Sequence, residues 1–268
     1  MDFPLLSTRR KVEVPDDLGE DCAQHGGGCK ADDLGATSST VATLDAGELD
    51  STPSSEAGDF PPAPSYAETL IIFDWDDTVL PSSHLTHLGL DLFDPSSPME
   101  IKASHPAVAE NLAMIDRVAA ELFGTACGLG HVTIVTNAER GWVELSASRY
   151  LPRTFVTMKR LNVSVISARS RFAMQDTAAS AWKLSAFKEL LAVQPVSPIN
   201  VLSFGDSECE RFALMNSVAG PAYSKSFKFL EGPNTATLLV ELRWISELIV
   251  RLTSQTGSLD LMFNYNQA

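Results

Sequence analysis

The stretch from Thr69 to Ser82, TLIIFDWDDTVLPS, constrains this chain more than any other. Leu70, Ile71, Ile72 and Phe73 make a short apolar run with the length and β-branched character of a buried parallel strand. It ends abruptly in three carboxylates, Asp74, Asp76 and Asp77. Carboxylates crowded at the mouth of an apolar strand repel one another and lose hydration. Such a pattern persists only where a cation, a proton or hydrogen-bond donors offset the cost. A hard divalent cation such as Mg²⁺ is the obvious offset, and a solvated acidic turn after an ordinary strand is the plain alternative. In an open α/β sheet ligands sit outside the carboxyl ends of strands, so the cluster lies where a site is expected.

The rest of the chain supplies partners for that strand. Val108, Leu112, Ile115, Val118 and Leu122 recur at spacings of four and three, one apolar helical face, with Pro106 at the first helical position. A second buried strand, His131 to Thr136, ends in Thr136 and Asn137. A helix from Gly141 to about Leu161, interrupted near Pro152, leads to a third strand at Val163 to Ser167. The segment WKLSAFKELLAV is an amphipathic helix with Lys183 at its start, where a surface lysine is the plain local reading. A fourth strand, Ile199 to Phe204, runs into GDSECE, and a fifth is expected around Tyr223 to Phe229. Leu238, Leu242, Ile245 and Ile249 give the closing helix its core face. Pro81 to Pro98 reads as an irregular loop or small hairpin.

Strands alternating with helices at these intervals imply βαβ crossovers. The expected fold is α/β, a three-layer sandwich with a central parallel sheet. Asp74, Asp76, Thr136 and Asp206 all stand at carboxyl ends of strands and can converge on one edge of it.

Charge divides the chain in two. Residues 1–65 hold 13 Asp+Glu against 4 Lys+Arg, so most of the formal net charge of -14 belongs to this arm. Low-complexity and turn-forming composition there leads to the expectation of a disordered acidic arm over 1–65, followed by one α/β domain over 66–268. An acidic chain without a basic stripe is not expected to bind nucleic acid or anionic membranes. No run of about 18 apolar residues and no secretory leader are visible, so an intracellular, cytoplasmic location is expected. Cys22 and Cys29 flank His25 in CAQHGGGC, but three glycines and the lack of a second ligand pair argue against a metal site there.

Four motifs in order give the domain a resemblance to the haloacid dehalogenase-like (HAD) hydrolase superfamily. FDWDDTVL is similar to that family's first motif at Asp74, Asp76 and Thr78, IVTN to the second at Thr136, Lys183 to the third, and FGDSECE to the fourth at Asp206 and Glu210. Lys188 is a rival for the third. The resemblance implies a Mg²⁺-dependent phosphomonoester hydrolase acting through an aspartyl-phosphate. Asp74 would be the nucleophile and Asp76 the general acid and base. Asp74, Asp206 and the main-chain carbonyl of Asp76 would hold the metal, and Thr136, Asn137 and Lys183 the phosphoryl group. Glu210 would orient a metal-bound water rather than touch the metal, with Ser207 also behind the metal ligands. The carboxyl of Asp76 points to phosphoryl transfer rather than carbon–halogen cleavage. The short segments after the first motif and before Lys183 imply little or no cap domain, hence an open site suited to a bulky or protein phosphate ester. A catalytically silent interaction protein and a phosphotransferase are the alternatives. The oligomeric state is left open.

Overall fold

The computed structural model describes residues 5–8, 63–175 and 178–264. Seven strands form one sheet: β1 (Leu5–Thr8), β2 (Thr69–Phe73), β3 (His131–Thr136), β4 (Ser164–Ser167), β5 (Asn200–Gly205), β6 (Tyr223–Lys228) and β7 (Leu259–Asn264). Their order is β1-β7-β6-β5-β2-β3-β4, parallel throughout except for β1, which runs antiparallel to β7. From β2 the chain moves outward through β3 and β4, then returns to add β5, β6 and β7 on the other side. The order therefore reverses between β2 and β5, the crevice where open α/β sheets hold ligands.

Side-chain alternation on β2 sets up both helical layers. Ile71 and Phe73 face a core built from α3 (Pro106–Leu129) and α9 (Thr235–Ser254), to which α4 (Trp142–Tyr150) and α5 (Pro152–Arg160) add their apolar sides. Leu70 and Ile72 face the opposite core, made by α6 (Ala168–Phe172), α7 (Ala179–Ala192) and α8 (Glu208–Ser217). Both faces of β2 are fully covered, which is why its sequence is an unbroken apolar run rather than an alternating one. The result is the three-layer α/β sandwich expected from the sequence.

Several local expectations are corrected. Within the arm, Leu5–Thr8 is a strand, paired with β7 through Leu5 to Asn264 and Thr8 to Leu261, and residues 63–65 are described, with Ser65 capping the short turn Tyr66–Glu68; the remainder of the expected disordered arm, CAQHGGGC included, lies outside the described residues. Pro81 to Pro98 is not a loop or hairpin but contains α1 (Ser82–His87) and the start of α2 (Ser97–Ser104). The cap that starts α1 comes from outside the helix, since the Ser83 amide donates to Asp77 Oδ1 at 2.9 Å. The break at Pro152 is a complete one: Pro152 opens a separate helix. Its first amides, those of Arg153 and Thr154, donate to the buried Asp116 carboxylate of α3 at 3.0 and 2.8 Å. An additional strand, β7, follows the closing helix. Insertions beyond the sandwich amount to α1 and α2, so no separate cap domain exists among the described residues. No helix there is long and apolar enough to cross a membrane.

Candidate active site

The same alternation that buries Leu70 and Ile72 against α7 and α8 points the next residue of that parity, Asp74, toward those helices. Its amide continues the ladder by donating to the Phe204 carbonyl of β5 at 2.8 Å. There it meets Lys183 of α7, only 2% exposed, whose Nζ lies 2.8 Å from Asp74 Oδ1 and also contacts Glu210 Oε1. That Asp74 oxygen is buried and accepts no hydrogen bond, so the lysine approaches it as an ion pair off the bonding direction. The charge on that oxygen is met by the Lys183 ammonium, while Asp74 also lines the cavity beside it.

After Asp74 the chain turns sharply. The Trp75 carbonyl accepts from the amides of Val79 and Leu80 at 2.9 and 3.1 Å, and Asp77 adopts φ 58° at the turn. Trp75 is fully buried and its indole N–H donates to Ser146 Oγ at 2.9 Å, so it packs rather than borders the site. Asp77 is a hydrogen-bonded turn residue through its bond to Ser83. The turn aims Asp76 into the same cavity, where the Trp142 indole N–H donates to both its carboxylate oxygens at 2.9 and 3.2 Å.

Asp206 and Glu210 come from the β5–α8 junction. Ser207 caps α8, and its amide donates to Glu210 Oε2 at 2.9 Å in a capping box. Glu210 therefore spends one oxygen on Ser207 and the other on Lys183. Although carboxylate oxygens of Asp74, Asp206 and Glu210 lie within 4.8 Å of one another, Glu210 is already committed to holding the lysine. Ser207 is likewise committed to the helix cap. Thr136 and Asn137 line the same cavity of about 280 Å³ with Asp74, Asp76, Asp77, Ala138, Lys183, Asp206, Ser207 and Glu210. Thr136 Oγ1 accepts from the Ala138 amide at 3.0 Å, which leaves its proton free to donate. Asn137 Nδ2 donates to the Ala179 carbonyl at 3.3 Å. Asp74, Asp76, Thr136, Asn137, Lys183, Asp206, Ser207 and Glu210, the residues given roles from the sequence, thus line one cavity. Of the two candidate lysines, Lys183 is the buried one and Lys188 is exposed.

Charge crowding shows in the protonation equilibria. Burial, and then the charges of Asp74 and Asp77, push Asp206 up to about 7, with Lys183 opposing. Asp76 is pushed up to about 6, chiefly by burial and in smaller part by Asp74 and Asp77, with the Trp142 hydrogen bond opposing. An all-oxygen set of hard donors with excess negative charge fits a small divalent cation. Asp74 and Asp206 are the side chains with capacity left to hold it.

Trp142, Gly205, Lys228 and Glu241 were not legible as site residues. A Cβ on Gly205 would fall 2.3 Å from Glu210 Cγ, so only glycine lets the glutamate fold back toward Lys183. Lys228 Nζ donates to the Asp206 carbonyl at 3.0 Å. Glu241 of α9, fully buried, accepts from the Leu230 amide at 3.0 Å through Oε1 while Oε2 has no partner. Burial pushes its carboxyl up to about 8. Because the folded value is raised, the stability associated with this proton is present at low pH and is lost as pH rises from 4.5 through about 8. Glu241→Gln should remove that dependence, making the variant more stable than wild type above about pH 8 and comparable at acidic pH. Denaturant melts across this range check it, and parallel stability curves for the two proteins would refute it.

Comparison with known proteins returns nothing for this chain: no family model matches it, nor does any curated protein or solved structure, so the resemblance rests on its four short motifs and their order.

Proposed function

We propose that this protein is a Mg²⁺-dependent phosphomonoester hydrolase of the HAD type, working through an aspartyl-phosphate on Asp74. The observation that carries the reading is the meeting of Asp74, Asp206 and Lys183 at the reversal of strand order, in the cavity that Asp76, Thr136 and Asn137 also line. A carboxylate oxygen of Asp74 attacks phosphorus while the bond to the ester oxygen breaks, and Asp76 transfers its proton to that leaving oxygen. Water then attacks the phosphoryl group on Asp74, Asp76 takes the water's proton, and phosphate departs. A carboxyl raised to about 6 suits both duties near neutrality, protonated often enough to donate and ionised often enough to accept. Lys183, Thr136 and Asn137 bind phosphoryl oxygens, the lysine also countering repulsion between Asp74 and the incoming anion.

Asp74 and Asp206, with the Asp76 carbonyl, would hold Mg²⁺, which when bound neutralises charge on the phosphoryl group. Glu210 and Ser207 keep Lys183 and α8 in place. The cavity is open and no cap domain covers it among the described residues, which favours hydrolysis over transfer, since water reaches the intermediate freely.

Phosphate release from an aryl phosphate and a panel of other esters, with Mg²⁺ and with chelator, tests the reading. Metal-dependent turnover is expected, reduced at least about 10³-fold by Asp74→Asn. Turnover unchanged by that substitution would exclude Asp74 as nucleophile. Absence of turnover in a folded protein that binds Mg²⁺ would exclude the hydrolase.

A further inference from the structure

The connection between α1 and α2 carries Phe93, a ring left 66% exposed on a backbone that is firmly held. Arg149 Nη1 donates to the carbonyls of Leu92 and Phe93 at 3.1 and 2.6 Å. The Tyr150 hydroxyl donates to the same Leu92 carbonyl at 3.2 Å, and the Phe93 amide donates to Asp91 Oδ1 at 2.9 Å. Four hydrogen bonds thus position a phenyl ring that remains largely in solvent, forgoing the stabilisation its burial would bring.

What the ring touches gives the position meaning. Its centroid is 5.0 Å from that of Trp142, with the planes inclined by 44°. Trp142 is the residue whose indole N–H holds both oxygens of Asp76. The aromatic pair therefore begins at the group that protonates the departing oxygen in the proposed reaction, whereas Lys183 pairs with Asp74 and Glu210. An organic group leaving with that oxygen departs on the Asp76 side. Ring-on-ring contact is the favourable way to cover an exposed aromatic face without burying polar groups.

From this juxtaposition we infer that Phe93 and Trp142 form a subsite for the organic part of the substrate, and that it takes an aromatic ring, making aryl phosphate monoesters the preferred class. The inference rests on the hydrolase reading for its orientation. Arg149 and Tyr150 act as positioning residues for Phe93, and the exposed ring is a specificity determinant rather than a catalytic residue.

Binding of benzylphosphonate and methylphosphonate to the Mg²⁺-loaded full chain, measured by calorimetry, tests it without requiring turnover. Wild type should bind the benzyl compound about threefold to tenfold more tightly than the methyl one, the range expected for an added aromatic contact. In Phe93→Ala the two dissociation constants should converge, whereas Phe93→Trp should keep the preference. Equal affinities in wild type, failure of both compounds to bind, or a preference surviving in Phe93→Ala or in Phe93→Leu would overturn the subsite. A peptide carrying phosphonomethylphenylalanine separates two sources of the same ring: tighter binding than benzylphosphonate points to a phosphotyrosyl protein, weaker binding to a free aryl ester. Phosphate release is scored separately. An aryl preference that depends on Phe93, in a protein that hydrolyses no ester, would sink the hydrolase and leave the aryl-anion site. Hydrolysis without that preference would do the reverse.

Discussion

Lys183→Met should cost the fold about 3–5 kcal/mol, because it leaves two buried carboxylates facing each other without their shared cation. Asp74 and Glu210 are both nearly inaccessible, and Lys183 is the group between them. Methionine preserves much of the volume, so the loss reports charge rather than a cavity. A second readout separates this from a general packing defect. With the lysine gone, the remaining carboxylates repel more strongly, so saturating Mg²⁺ should recover more stability in the variant than it adds to wild type. Urea unfolding with Mg²⁺ and with chelator provides both numbers. A loss below about 1 kcal/mol, or equal stabilisation by Mg²⁺ in the two proteins, would mean that Lys183 does not neutralise this cluster.

Gly205→Ala should be the second most damaging change, although it adds only a methyl group. The new Cβ would stand 2.3 Å from Glu210 Cγ and 2.8 Å from its Cβ and Cδ, distances that real atoms do not tolerate. Glu210 must then swing away, giving up Lys183 and the capping box with Ser207. Overpacking of this kind costs about 1–3 kcal/mol, and the lost cap adds about 1 kcal/mol. Glu210→Ala removes the two outer atoms of the clash, so Gly205→Ala should cost clearly less in that background. The double-mutant cycle should show a coupling of at least about 1 kcal/mol. Additive effects would place the damage of Gly205→Ala somewhere other than Glu210.

The parts of the site that could be read beforehand share one property: each is written in a few consecutive residues. Leu70 to Phe73 followed by Asp74 is a strand and its functional end in one segment, and Phe204-Gly205-Asp206 repeats the form on the neighbouring strand. Lys183 stands in the second turn of the amphipathic helix Ala179–Ala192, so its place near a strand end follows from βαβ connectivity. Trp142 was invisible because its tie to Asp76 spans 66 positions, and nothing next to either residue announces it. Glu241 was hidden in the same way: on the closing helix it looks like one charge on a polar face, yet the fold buries it completely under the Leu230 amide. The helices α1 and α2 were missed because Pro and Ser clusters read as turns, while Asp77 supplies the cap for α1 from outside it. The strand β7 is not legible because six residues after a long helix join the sheet only by pairing with β6 on one side and β1 on the other.

Local sequence was enough to specify the α/β class, the carboxyl ends of β2, β3 and β5 as the edge that carries the candidate site, and the residue types gathered there. Apolar runs and helical periodicity record burial directly, and a run of acids after a buried strand is too costly to be accidental. Which charges meet, which are spent on one another and which are left free depended on packing between α7, α8 and the strand ends. Glu210 and Asp74 share Lys183 and Asp76 is held by an indole because side chains distant in sequence are brought within hydrogen-bonding reach. Electrostatic energies change steeply with distance and burial, and both are set by the folded chain rather than by spacing along it.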